Sequence, residues 1–109
     1  MRQTRLVGPD GTEWTVEVPE SWRERMRGLL DARELNPRHA MLFERCRAVH
    51  TFGMRFPIDV VFLDRDLRVV DVRRLTPGRL TRPRLGARHV LECPADSGLR
   101  PDGRFHLEP

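Results

Sequence analysis

The chain of 109 residues has no lysine and no tyrosine, so all twenty of its basic side chains are arginine. Lysine Schiff bases, a phosphate-loop lysine and tyrosine acid catalysis are therefore excluded. Serine is nearly absent as well: Ser21 and Ser97 are the only two, neither has the flanking glycines of a nucleophile elbow, and both suit a cap or turn. Two cysteines, Cys46 and Cys93, lie too far apart in sequence to make a zinc signature. There is no run of eighteen apolar residues, and the N-terminus MRQTRLVGPDG has no apolar signal core, so a soluble, cytoplasmic protein without a membrane span is expected. Repeats, low-complexity tracts and interdomain linkers are missing too. A single domain over residues 1–109 is the expectation, of a size that buries about 65% of the surface its unfolded chain exposes.

What the chain does contain is a series of short strand-like runs. Leu6 and Val7 lead into the turn Gly8-Pro9-Asp10-Gly11, after which Trp14, Val16 and Val18 alternate with Glu13, Thr15 and Glu17, as in a half-buried strand. From about Glu20 to Asp31 the period becomes helical, with Trp22, Met26, Leu29 and Leu30 on one stripe. Further runs at about Met41–Phe43, Arg47–Met54, Ile58–Asp64, Arg68–Arg73, Arg88–Cys93 and Arg104–Leu107 read as strands. This pattern predicts a mainly β fold, a sandwich or flattened barrel with one α-helix packed on the sheet.

The segment Val49–Asp64 places His50, Met54, Arg55 and Asp59 inside the most apolar stretch of the chain. Leaving an uncharged polar group unpaired away from water costs about 1 to 3 kcal/mol, and a charge costs more, so these residues are either paired or part of a site. On an extended strand Cys46, His50, Phe52 and Met54 share one face. Cys46 and His50 would then stand ~13 Å apart, too far for one metal or one nucleophile pair, so no metal site is expected from this strand. Asp59 is flanked by Ile58, Val60, Val61, Phe62 and Leu63 and requires a donor. An ion pair with an arginine or a backbone-bonded turn meets that need; a carboxylate with a shifted pKa at a cleft, with His50 as companion, is the functional alternative.

Charge is unevenly distributed. Between Arg73 and Arg88 there are six arginines and no acid, against fourteen arginines and sixteen acids elsewhere, so the net charge of +4 is local. Two prolines and two glycines make much of RRLTPGRLTRPRLGAR a loop on which guanidinium groups can gather phosphates or carboxylates. The loop has no aromatic residue to stack bases, which weighs against nucleic acid.

RGLL at Arg27–Leu30, MLF at Met41–Phe43, HTFGMRFPIDVVFLD at His50–Asp64 and VLECPA at Val90–Ala95 follow the order and spacing of a widespread prokaryotic family. From about Trp14 onward the chain resembles the domain of unknown function 192 family. Arg65-Asp66-Leu67 differs from the family's usual Asp-Gly turn, Asp96 stands where glycine is common, and Asp102-Gly103 reverses a Gly-Asp turn. The resemblance implies a jelly-roll-like β-sandwich without an assigned activity, and it adds no catalytic residues and no cofactor.

These readings predict a small binding or accessory module of unassigned function. A cleft near His50–Asp59, with Met54, Arg55, Arg79, Arg82 and Arg84 as ligand contacts, would receive an anionic small molecule or an acidic protein segment. The alternative is an enzyme using His50 and Asp59 as an acid–base pair.

Overall fold

The computed structural model describes residues 1–21, 24 and 37–108. Its core is a single seven-stranded sheet of order β5-β4-β6-β3-β2-β1-β7, curled into a half-barrel. Strand β1 (Arg2–Val7) and β2 (Glu13–Val18) form the expected hairpin, with Leu6 opposite Trp14. Gly8 N donates to Thr12 O at 2.7 Å and Asp10 Oδ1 accepts from Thr12 N at 3.1 Å, so the turn is held by its own backbone and an Asx contact. Strand β3 (His39–Phe43) lies parallel to β2, and every other pairing is antiparallel. Strand β6 (His89–Pro94) sits between β3 and β4 (Ile58–Leu63), β5 (Val69–Leu75) forms one edge, and β7 (His106–Leu107) pairs with β1 at the other.

The mainly β class follows from the sequence, and the strands join one continuous sheet rather than two separate ones. Parallel strands need a crossover, which here runs from residue 19 to residue 38. The helix predicted there, with Trp22, Met26, Leu29 and Leu30, lies outside the described residues. Ser21 Oγ accepts from Glu24 N at 3.1 Å while Glu24 Oε1 accepts from Ser21 N at 3.3 Å, a reciprocal pair that suits the cap or turn role expected of Ser21.

Strand β4 is buried along its whole length, and its alternation divides the core. Val61 and Leu63 face a cluster with Leu6, Trp14, Leu42, Leu91 and Phe105, whereas Ile58, Val60 and Phe62 face another with Met41, Phe43, Met54 and Val90. A strand apolar on both faces needs cover on both.

One strand expectation fails. Arg47–Met54 is not a strand: only His50 makes a bridge, to Leu80, and the chain then turns, with Met54 N donating to Thr51 O and Gly53 at φ 83°. The shared face proposed for Cys46, His50, Phe52 and Met54 is lost with it. The last predicted strand is also shorter than Arg104–Leu107, since Arg104 makes only a bridge to Arg68.

Candidate functional site

The apolar block and the basic loop, far apart in sequence, are stitched together. Thr81 N donates to Val49 O at 2.9 Å and Thr51 N to Arg79 O at 2.8 Å, an antiparallel pairing around His50 and Leu80. Two buried hydroxyls lock it. Thr51 Oγ1 donates to Thr76 O at 2.7 Å and accepts from Arg79 N at 2.8 Å, while Thr81 Oγ1 accepts from Val49 N at 2.9 Å. With their neighbours held inside, His50, Phe52 and Leu80 point outward. Phe52 is 52% exposed and Leu80 69%, and the His50 ring stacks on Phe52 at 5.1 Å between centroids.

The predicted ligand residues fall into three environments. Arg79 and Arg82 are exposed on the stitched loop, and among the described residues neither has an ion pair; Arg79 Nε donates to Thr76 Oγ1 at 3.4 Å. Arg55 is exposed in the turn after Phe52. Arg84 is half-buried and pairs with Asp71 at 3.4 Å, and Met54 is a core residue, 8% exposed.

Asp59 has the paired role. Its Oδ2 accepts from Ser97 Oγ at 2.6 Å and Ser97 N at 3.0 Å, and its Oδ1 stands 3.6 Å from Arg74 Nε. Arg74 also pairs with Asp96, which with Arg74, Val72 and Leu99 lines an open depression of 610 Å³ beside Asp59. Among the described residues no hydrogen bond or ring contact links His50 to Asp59: the former meets Phe52 and Leu80, the latter Ser97 and Arg74.

Three further features escaped the sequence reading or gain detail here. Glu92, on β6 between Met41 and Val60, is 4% exposed and has a carboxylate oxygen without a hydrogen-bond partner among the described residues; burial raises its pKa to about 7. Cys93 pairs with Asp59 across β6 and β4, and burial pushes its thiol up to about 12. Cys46 is half-buried, donates to Ala48 O at 3.0 Å, and is free, as Cys93 is. The three turn positions that depart from the family pattern all carry left-handed backbone: Leu67 at φ 66°, Asp96 at 63° and Asp102 at 72°. Among the described residues no group of three or more histidine, cysteine or acidic side chains could hold a metal ion, and no helix is long and apolar enough to cross a membrane.

The fold and this surface define a small mainly β protein with two exposed apolar side chains, Phe52 and Leu80, near arginines that have no ion pair among the described residues. Residues 5–100 match the domain of unknown function 192 family, described as Uncharacterized ACR, COG1430, and the chain belongs to that family. It is 39% identical over 88 residues to a UPF0127 protein of Pyrococcus horikoshii, covering 75% of this chain and 74% of that one. A UPF0127 protein of Thermococcus sibiricus is 36% identical over 92 residues, and there the match spans 58% of the relative's length. A solved structure from Sinorhizobium meliloti 1021, of a protein named for a proposed role as a transcription regulator, superposes with a TM-score of 0.80 at 26% identity, covering 95% of this chain and 91% of that one. A protein of unknown function from Novosphingobium aromaticivorans shares the fold, with a TM-score of 0.76 at 20% identity and coverage of 95% and 83%.

Proposed function

We propose that this chain is a small binding module whose His50–Phe52–Leu80 face, flanked by Arg79 and Arg82, receives an acidic protein segment carrying apolar side chains. The observation that supports this most is the stitched pairing of Val49–Thr51 with Arg79–Thr81, which brings exposed apolar groups together with arginines that have no ion pair among the described residues. Exposed apolar groups beside cations favour a ligand with both characters, since aromatic and arginine side chains anchor most protein interfaces. An anionic small molecule would use the arginines and leave Phe52 and Leu80 idle. Met54 supports this face from the core instead of touching a ligand, and Arg55 extends the charge beyond Phe52. The acid–base reading of His50 and Asp59 has less support, because Asp59 already holds Ser97 and Arg74.

The test uses two probes, poly-L-glutamate and a labelled peptide alternating glutamate and leucine. Arg79→Gln with Arg82→Gln should weaken both and flatten the salt dependence, since exposed charges act through a field screened over about 8 Å at physiological ionic strength. Phe52→Ser with Leu80→Ser should weaken only the second. Equal binding by all variants, or tighter binding of duplex DNA than of the peptide, would overturn the proposal; the second outcome would favour the role named for the S. meliloti protein. A jelly-roll-like arrangement and a cytoplasmic location belong to the same proposed reading.

A further inference from the structure

A second basic site lies where β4 ends, beside Leu63, and adjoins the basic loop through Arg84 N, which donates to Arg47 O at 3.2 Å. Arg45 and Arg47 follow β3, Arg65 lies in the turn after β4, and Arg88 precedes β6. Their backbones are tied to one another: Arg88 N donates to Leu63 O at 2.7 Å, Cys46 N to Arg88 O at 3.0 Å, and Arg45 N to His89 Nδ1 at 3.1 Å. Two depressions adjoin there. One, of 470 Å³, is lined by Arg45, Arg65, Arg88 and His89; the other, of 720 Å³, by Arg47 and again Arg65 and Arg88. Acids also reach the walls, Glu20 and Glu44 in the first depression and Asp64 and Asp66 in the second; of these Glu44 pairs with Arg2 at 3.0 Å, and Asp64 Oδ1 accepts from the amides of Asp66 and Arg68 at 2.8 and 3.0 Å. Among the described residues none of the four arginines has an ion pair, and the bond from Arg45 N places the proton of a neutral His89 on Nε2, as a further donor.

We propose that Arg45, Arg47, Arg65, Arg88 and His89 form a binding site for a small polyanion with at least two phosphate or carboxylate groups, one in each depression. The two depressions share a wall of two guanidinium forks, which suits bidentate contact with planar or tetrahedral oxyanions better than it suits a single ion. Four arginines around two adjoining depressions also gain more from a multivalent anion than from a monovalent one.

Calorimetric titration with inorganic tripolyphosphate and with citrate, at constant ionic strength, tests this. The wild-type protein should bind one equivalent of at least one of them, the tighter of the two assigning phosphate or carboxylate chemistry. Arg65→Gln with Arg88→Gln should weaken it by about tenfold or more, and Arg79→Gln should leave it unchanged. Arginine side-chain and His89 NMR shifts in the wild-type protein provide a readout independent of any variant, and they should move at Arg45, Arg47, Arg65, Arg88 and His89 and stay still at Arg79. Absence of binding to both anions, retained affinity in the Arg65/Arg88 variant, or shifts confined to Arg79 and Arg82 would overturn the site.

Discussion

At the scale of single residues, Glu92 ties stability to pH. Its ordinary pKa of 4.5 rises to about 7 in the fold because burial disfavours the carboxylate. The folded protein then binds a proton that the unfolded chain has released, so this residue lowers stability as pH rises from about 4.5 to about 7, by roughly 3 kcal/mol in total. His89 acts in the opposite sense: burial lowers its pKa, and its contribution is lost as pH falls below its ordinary 6.5. Urea melts of wild type and Glu92→Gln between about pH 5 and pH 8 separate the two, because the His89 term is common to both proteins. The variant should gain on the wild type as pH rises to about 7, and a constant difference would remove the raised pKa of Glu92. Asp59 is the contrasting case, a buried acid with donors. Ser97→Ala should cost about 1 to 3 kcal/mol in the same melts, since Asp59 Oδ2 then keeps only the Ser97 amide. The need of Asp59 for a donor was legible in its apolar neighbours, but its partner Ser97 is 38 residues away. Glu92 is buried by the place of β6 between β3 and β4, which local sequence does not reveal.

At the scale of elements, the strands that bury one or both faces were readable from their period, β2 and β4 above all. The segment Arg47–Met54 was misread because its residues are apolar and β-prone while its hydrogen bonds go to a loop, and pairing partners leave no trace in local pattern. Thr51 is the residue on which this element depends. Replacing it with valine keeps the volume and removes a hydroxyl that serves Thr76 O, Arg79 O and Arg79 N. Thr51→Val should therefore destabilise the protein by about 1 to 3 kcal/mol, the cost of leaving those backbone groups unpaired. Amide exchange should quicken at Arg79 and Thr81, with β4 and β6 unaffected. Were exchange to stay slow at both amides, the threonine would not be what holds the loop, and the placement of Phe52 and Leu80 would need another cause.

At the scale of the whole molecule, the sheet order sets which parts can open separately. Strand β6 is hydrogen-bonded to β3 and β4 on its two sides and β4 to β5 beyond, whereas the Cys46 segment follows β3 and is tied through single backbone bonds such as Cys46 N to Arg88 O. Local openings start where few buried contacts are lost, and central strands open only with the global transition. The two cysteines report on these two levels. Cys93 is fully buried with its thiol pushed up to about 12, so neither access nor thiolate is available in the folded state. Its labelling by an aromatic disulfide should follow the global unfolding equilibrium, with the same denaturant dependence as the urea melt. Cys46 is half-buried and needs only the release of its own segment, so it should label faster and with a much weaker dependence on urea. In denaturant both thiols should react without prior reduction, since the cysteines are free. If Cys93 instead labels at the rate and with the shallow urea dependence of Cys46, β6 opens independently of the sheet. The core would then be divided along β6 rather than cooperative across it, and Glu92 would reach water by the same route.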